Sequence, residues 1–129
     1  MKNNNKFLLD TDILSNHLAN SETANSVLID LMQIGICFTT VINASELLLI
    51  AKTEKEKKII RDVLNALKVL GLNSRYALSV SNYSGKVNTL RDALLAVVAE
   101  INKLPIVTFD NNRYINTSLK IIHPQELRG

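Results

Sequence analysis

The chain holds one cysteine and no tryptophan. With Cys37 alone no internal disulfide can form, and a lone thiol fits a reducing cytoplasm. Cys37 lies in Ile36-Cys37-Phe38 and reads as core filler. A zinc site is not indicated either, since His17, Cys37 and His123 match no zinc-ligand spacing. Three Phe and three Tyr form no series, so base stacking is not indicated. Apolar runs such as Leu47–Ala51 fall far short of a membrane span. The start, Met1-Lys2-Asn3-Asn4-Asn5-Lys6, leads into an expected strand without the apolar stretch and cleavage site of a signal peptide. No internal repeat, low-complexity tract or linker interrupts the chain.

What is present suits one domain spanning 1–129. Hydrophobic residues make up 47% of the 129, and mean hydropathy is +0.10, enough for a packed core. The net charge of +3, with an isoelectric point near 9.1, permits contact with a polyanion without demanding it.

Short apolar runs alternate with helical patterns. Strands are expected at Phe7–Asp10, Ile36–Thr39, Val69–Leu72, Ile106–Thr108 and Leu119–Ile122. Helices are expected at Ile13–Ala19, with Thr11 or Asp12 as cap, and from Asn20-Ser21-Glu22 to a stop at Gly35. Others follow over Asn43–Lys52, over Thr53–Lys68 with an Ile60, Val63, Leu64, Leu67 face, from Asn73-Ser74 to near Gly85, and over Asp92–Asn102. This alternation predicts an α/β fold, a short and mostly parallel sheet with helices on both faces. Sites in such sheets form beyond the carboxyl ends of the strands.

Four carboxylates stand in apolar settings. Asp10 ends Phe7-Leu8-Leu9, and Glu46 has Ile42, Leu49 and Ile50 on its helical stripe. Asp92 opens Ala93-Leu94-Leu95-Ala96-Val97-Val98, and Asp110 follows Ile106-Val107-Thr108-Phe109. A charged carboxylate near a core is costly without a positive partner. No Lys or Arg is spaced to pair with all four, so a divalent metal is the expected partner. Each acid also has an ordinary reading. Asp10 and Asp12 suit a helix cap, Glu46 a solvated face, Thr89-x-x-Asp92 a capping box and Asp110 a turn.

The ordered set Leu8-Leu9-Asp10-Thr11-Asp12-Ile13-Leu14, Thr40-Val41-Ile42-Asn43-Ala44-Ser45-Glu46-Leu47, Arg91-Asp92-Ala93-Leu94-Leu95-Ala96-Val97-Val98-Ala99 and Ile106-Val107-Thr108-Phe109-Asp110 resembles the PIN-domain family, most closely its VapC-type toxin ribonucleases. The resemblance runs from Phe7 to about Pro124. It implies a PIN-like three-layer sandwich, with Asp10, Glu46, Asp92 and Asp110 as catalytic and metal-binding acids. Thr108 would be a supporting hydroxyl, and Asp12 a fifth carboxylate or a cap. Asn43 departs from the family, where Ser or Thr is common. The resemblance further implies a small antitoxin partner, a homodimer and an RNA substrate, in the cytoplasm and away from membranes.

An all-oxygen acid cluster suits Mg²⁺ or Mn²⁺ and a metal-dependent endoribonuclease that hydrolyses phosphodiester bonds. Within the Lys52–Arg61 run, Lys52, together with Arg91 and Arg113, would contact the RNA backbone, the alternative being a solvated helix face. Two other functions compete. One is a non-catalytic RNA- or protein-binding PIN module. The other is a phosphatase of the haloacid-dehalogenase type, which Asp10-Thr11-Asp12 resembles.

Overall fold

The computed structural model describes residues 5–20 and 26–128. Among these, five parallel strands form one sheet in the order β3-β2-β1-β4-β5. The strands are β1 (Lys6–Leu9), β2 (Ile36–Thr40), β3 (Lys68–Leu70), β4 (Ile106–Val107) and β5 (Ile121–Ile122). The helices are α1 (Thr11–Ala19), α2 (Val27–Ile34), α3 (Val41–Ile50), α4 (Glu54–Asn65), α5 (Ser74–Ser79), α6 (Leu90–Asn102) and α7 (Gln125–Arg128).

β1 shows why the sheet is covered on both sides. Side chains alternate along a strand, and Phe7, Leu8 and Leu9 are all buried. Phe7 and Leu9 pack with Ile13, Leu14, Leu28, Leu31 and Leu47, from α1, α2 and α3. Leu8 faces the other way, against Leu95, Val98, Leu104 and Ile106. Three layers result, as the alternation of strands and helices predicts. α6 fills the second side. Its residues Ala93, Leu95, Ala96, Val97, Val98 and Ala99 are each 5% exposed or less.

Several boundaries differ from expectation, each for a local reason. α1 begins at Thr11 because Asp10, not Thr11 or Asp12, is its cap, accepting from the Thr11 N–H. The expected helix start at Asn20-Ser21-Glu22 falls largely on residues 21–25, outside the described residues. α2 begins at Val27, capped by Ser26. The helix expected to reach Gly85 is α5 alone, followed by a 3₁₀ turn over Val80–Tyr83.

Gly35 does end α2, with an extended backbone (φ −172°) rather than a left-handed one. Its need for glycine is steric. A Cβ there would sit 2.6 Å from the Phe7 ring and 2.8 Å from the Asn5 carbonyl oxygen. Gly35→Ala should therefore destabilise the fold by about 1–3 kcal/mol through overpacking. Denaturant unfolding checks this, and an unchanged midpoint would contradict it.

α3 carries a second surprise. Glu46 lies on an apolar stripe in sequence, yet Leu49 is 86% and Ile50 69% exposed. Only Asn43 and Leu47 of this helix are buried. Helical spacing shows that residues share a face, but not whether anything covers it.

Candidate active site

The strand order places a crevice where the acids lie. The chain runs outward from β1 through β2 to β3, then returns to lay β4 on the other side of β1. At such a reversal the loops after the two neighbouring strands diverge and leave a cleft. Asp10 directly follows β1, and its N–H donates to the Val107 carbonyl of β4 at 3.0 Å. Thr108 directly follows β4.

Asp10, Glu46 and Asp92 come together here. Asp10 is wholly buried and Asp92 is 5% exposed, whereas the Glu46 side chain keeps 39% of its surface. They meet at the Arg91 guanidinium. Arg91 Nη2 bonds Asp10 Oδ1 and Glu46 Oε1 at 2.9 Å. Nε donates to both Glu46 oxygens at 3.0 and 3.2 Å, and Nη1 reaches Asp92 Oδ1 at 3.1 Å. Arg113 adds looser ion pairs, at 3.6 Å to Asp10, 3.8 Å to Asp92 and 3.5 Å to Asp110. Asp110 is peripheral. Its side chain is 47% exposed and caps the 3₁₀ turn Asn111–Tyr114 by accepting from the Asn112 N–H.

As expected, no single arginine pairs with all four acids: Arg91 takes Asp10, Glu46 and Asp92, and Arg113 takes Asp10, Asp92 and Asp110. What the sequence did not show is that two arginines divide them. Spacing along the chain bears on neighbours within a helix turn, whereas these pairs close across the fold. Both arginines, expected on the RNA backbone, turn toward the acids. Lys52 lies apart, exposed between α3 and α4, with its backbone N–H bound to Glu56.

Neutral side chains hold this cluster in place. The Asn43 amide donates to Thr11 Oγ1 at 2.9 Å and Asp10 Oδ1 at 3.4 Å. Its carbonyl accepts from the Thr40 hydroxyl and N–H in a capping box. The Thr11 hydroxyl donates to Glu46 Oε1. Tyr114, 1% exposed, donates to Asp10 Oδ2 at 3.1 Å. Burial and the nearby Asp10 charge push the Tyr114 phenol well above its usual range, so it remains a donor. Sequence reading missed Thr11, Thr40 and Tyr114 as site residues. The only signal for Asn43 was its departure from the usual Ser or Thr.

Asp92 answers its rival explanation as well. Thr89 caps α6 by accepting from the Asp92 N–H at 3.1 Å. The Asp92 carboxylate turns to Arg91 and Arg113, so it serves the cluster while its backbone serves the cap. Asp12 has a role of its own. Its Oδ2 accepts from the Thr108 hydroxyl and the Phe109 N–H, tying α1 to the loop after β4. Thr108 Oγ1 in turn accepts from the Asp110 N–H. Asp12 Oδ1 is buried with no hydrogen-bond partner. Burial, reinforced by the Asp10 charge, raises the Asp12 carboxyl above its ordinary range.

Glu46 moves the opposite way. Burial opposes its charge, but hydrogen bonds from Arg91 and Thr11 and the Arg91 charge bring it below its ordinary value of 4.5. A carboxyl lowered by folding stabilises the native state above its unfolded value, and the benefit is lost as pH falls through its folded value. The melting temperature of wild type should exceed that of Glu46→Gln at neutral pH. The gap should narrow below pH 4.5. A gap that widens on acidification would contradict the pairing.

The donor chemistry suits a hard divalent cation. The converging groups are carboxylate oxygens, and Asp12 Oδ1 lacks the partner a buried oxygen normally has. Among the described residues, no three acidic, His or Cys side chains stand arranged to hold a metal. The Arg91 guanidinium lies between the carboxylates that would do so.

Comparison with known proteins agrees with this fold. No curated protein matches the sequence at a significant level. Among solved structures, the chain is similar to a toxin–antitoxin complex from Klebsiella pneumoniae, at 17% identity and a TM-score of 0.76, covering 92% of this chain and 97% of the other. It is similar to VapBC-1 from nontypeable Haemophilus influenzae at 16% identity and a TM-score of 0.77, covering 93% and 98%. It also resembles VapBC2 from Rickettsia felis, solved bound to a promoter DNA fragment, at 16% identity and a TM-score of 0.72, covering 92% and 98%. A sequence model of the PIN domain matches residues 7–117, spanning β1, the acid cluster and β4. The chain therefore belongs to the PIN-domain family, a family of nucleases.

Proposed function

We propose that this PIN domain is a metal-dependent endoribonuclease, the toxin of a cytoplasmic toxin–antitoxin pair. The observation that carries the reading is the meeting of Asp10, Glu46 and Asp92 at one point in the crevice between β1 and β4. Buried acids are costly to gather, and a cluster at a strand-order reversal is where ligands bind in such sheets.

Asp10 and Asp92, the two most buried acids, would hold Mg²⁺ or Mn²⁺. Such an ion supplies hydroxide near neutral pH and offsets charge on a phosphodiester. Glu46, half open to solvent, would bind the ion or orient the attacking water. Asp110 would complete the rim, with its N–H held by Thr108. The Tyr114 hydroxyl and the Asn43 amide fix the Asp10 carboxylate. Arg113, at the open side of the cluster with 36% of its side chain exposed, would meet the RNA phosphates.

The likeness to toxin–antitoxin complexes supports an antitoxin partner for this chain. Leu47, Ile50, Ile59 and Ile60 line a 340 Å³ groove beside α1. An antitoxin helix with an apolar face would fit there. A non-catalytic binding module is a second reading, favoured by the internal pairing of the acids with arginine. Membership of the PIN family sets the haloacid-dehalogenase reading aside.

Purified protein incubated with total RNA should cut it in Mn²⁺ and not in EDTA. Cleavage that survives EDTA would refute the metal mechanism. No cleavage with any divalent ion would favour the binding module.

A further inference from the structure

We propose that Arg91 is a resident counter-cation of the acid pocket, and that a divalent metal and the Arg91 guanidinium occupy the pocket in alternation. The inference rests on the metal site proposed above and concerns how that site is filled.

The argument is one of acceptor capacity. Each carboxylate offers about four lone-pair positions. Asp10 Oδ1 already takes the Thr11 N–H at 2.8 Å, the Asn43 amide at 3.4 Å and Arg91 Nη2. Glu46 Oε1 takes the Thr11 hydroxyl, Arg91 Nε and Arg91 Nη2. Asp92 Oδ1 takes Arg91 Nη1 and lies 3.8 Å from Arg113. Arg91 is thus common to all three, through all three of its nitrogens. A magnesium ion needs oxygen ligands at about 2.0–2.1 Å in near-octahedral arrangement. The same oxygens cannot meet that demand and keep these bonds. Arg91 and Arg113 already bring two positive charges to the three carboxylates, and a divalent ion added beside them would leave the pocket with excess positive charge.

Two features make the exchange feasible. The Arg91 side chain is 18% exposed, so it has a path to solvent. Arg91 also lies on the first turn of α6, where the cap bond from Thr89 goes to the Asp92 backbone. The guanidinium can therefore withdraw without undoing the helix start. In its resident position Arg91 keeps three like charges together, so the acids stay gathered without metal.

The test follows metal binding and the arginine separately. Mg²⁺ is titrated calorimetrically into metal-free wild type, Arg91→Gln and Arg61→Gln. The last removes an equal charge from the exposed face of α4. Arg91→Gln should bind Mg²⁺ at least about tenfold more tightly than wild type, a change of about 1.4 kcal/mol. Arg61→Gln should stay close to wild type. In parallel, the side-chain Nε–H signal of Arg91, assigned by its loss in Arg91→Gln, is followed by ¹⁵N NMR in the wild-type titration. It should be protected without metal and lose protection in step with occupancy.

Mg²⁺ saturation with that signal unmoved would overturn the alternation and leave the metal site standing. Unchanged or weaker binding by folded Arg91→Gln would do the same. No binding by any of the three proteins would overturn both. Should Arg91→Gln not fold without metal, the wild-type signal, assigned with Arg91→Lys, decides alone.

Discussion

Asp92→Asn should lower RNA cleavage by about 10²–10³-fold or more, the loss seen when one well-placed electrostatic contact to a reacting centre is removed. The substitution keeps the shape of the side chain and removes its charge. The α6 cap survives, because Thr89 accepts from the residue 92 backbone. What disappears is the anionic character of an oxygen beside Asp10 and Glu46. The protein should still fold, since the lost ion pairs are a single bond to Arg91 at 3.1 Å and a contact with Arg113 at 3.8 Å. Rates on a single-stranded RNA in Mn²⁺, read beside circular dichroism, give the answer. Near wild-type cleavage by a folded Asp92→Asn protein would remove Asp92 from the chemistry. If toxicity is catalytic, induced expression should arrest growth with wild type and not with this variant. Arrest by both would separate toxicity from cleavage.

The largest effect on stability should come from Arg91→Ala in metal-free buffer. Removing one partner of a buried pair leaves the other charge uncompensated, at about 3–5 kcal/mol. Asp10 is wholly buried, so that penalty applies to it most directly. Four groups reduce it. Tyr114, the Thr11 N–H, the Asn43 amide and Arg113 still face the Asp10 carboxylate. We expect a net loss of about 2–3 kcal/mol, below the range for a pair with no other support. Arg113→Ala should cost less than half as much. Its contacts are 3.5 Å or longer, and its side chain is 36% exposed, where solvent screens the charge. Denaturant unfolding of the two variants in EDTA measures the order. Equal losses, or a greater one for Arg113→Ala, would show that the cluster does not hang on Arg91.

The two results bear on each other. Arg91 is stabilising without metal and is expected to oppose metal binding. Metal should therefore rescue the Arg91→Ala protein more than wild type, since a ligand stabilises in proportion to how tightly it binds the native state.

The residues themselves carried much of this. The run Phe7-Leu8-Leu9 reads as a buried strand, and Phe7 and Leu8 do bury on opposite sides. Asp10, Glu46 and Asp92 stood out because a charge beside an apolar run needs a partner. The ordinary readings were not wrong so much as incomplete. Asp10 is both the cap of α1 and the centre of the cluster. α3 shows where local pattern ran out, with Leu49 and Ile50 on its stripe and both in solvent.

Local sequence therefore indicated the strands, most of the helices and which acids were out of place, because those depend on neighbours within a turn or a pleat, while the α1 cap at Asp10 and the end of α5 came from the structure. It did not determine what those acids would meet. Arg91 and Asp10 are 81 residues apart, and Tyr114 and Asp10 are 104 apart. Only the return of the chain to lay β4 beside β1 brought them into contact. The partner of a buried charge is chosen by distance in space, and in this protein that distance is set by strand order.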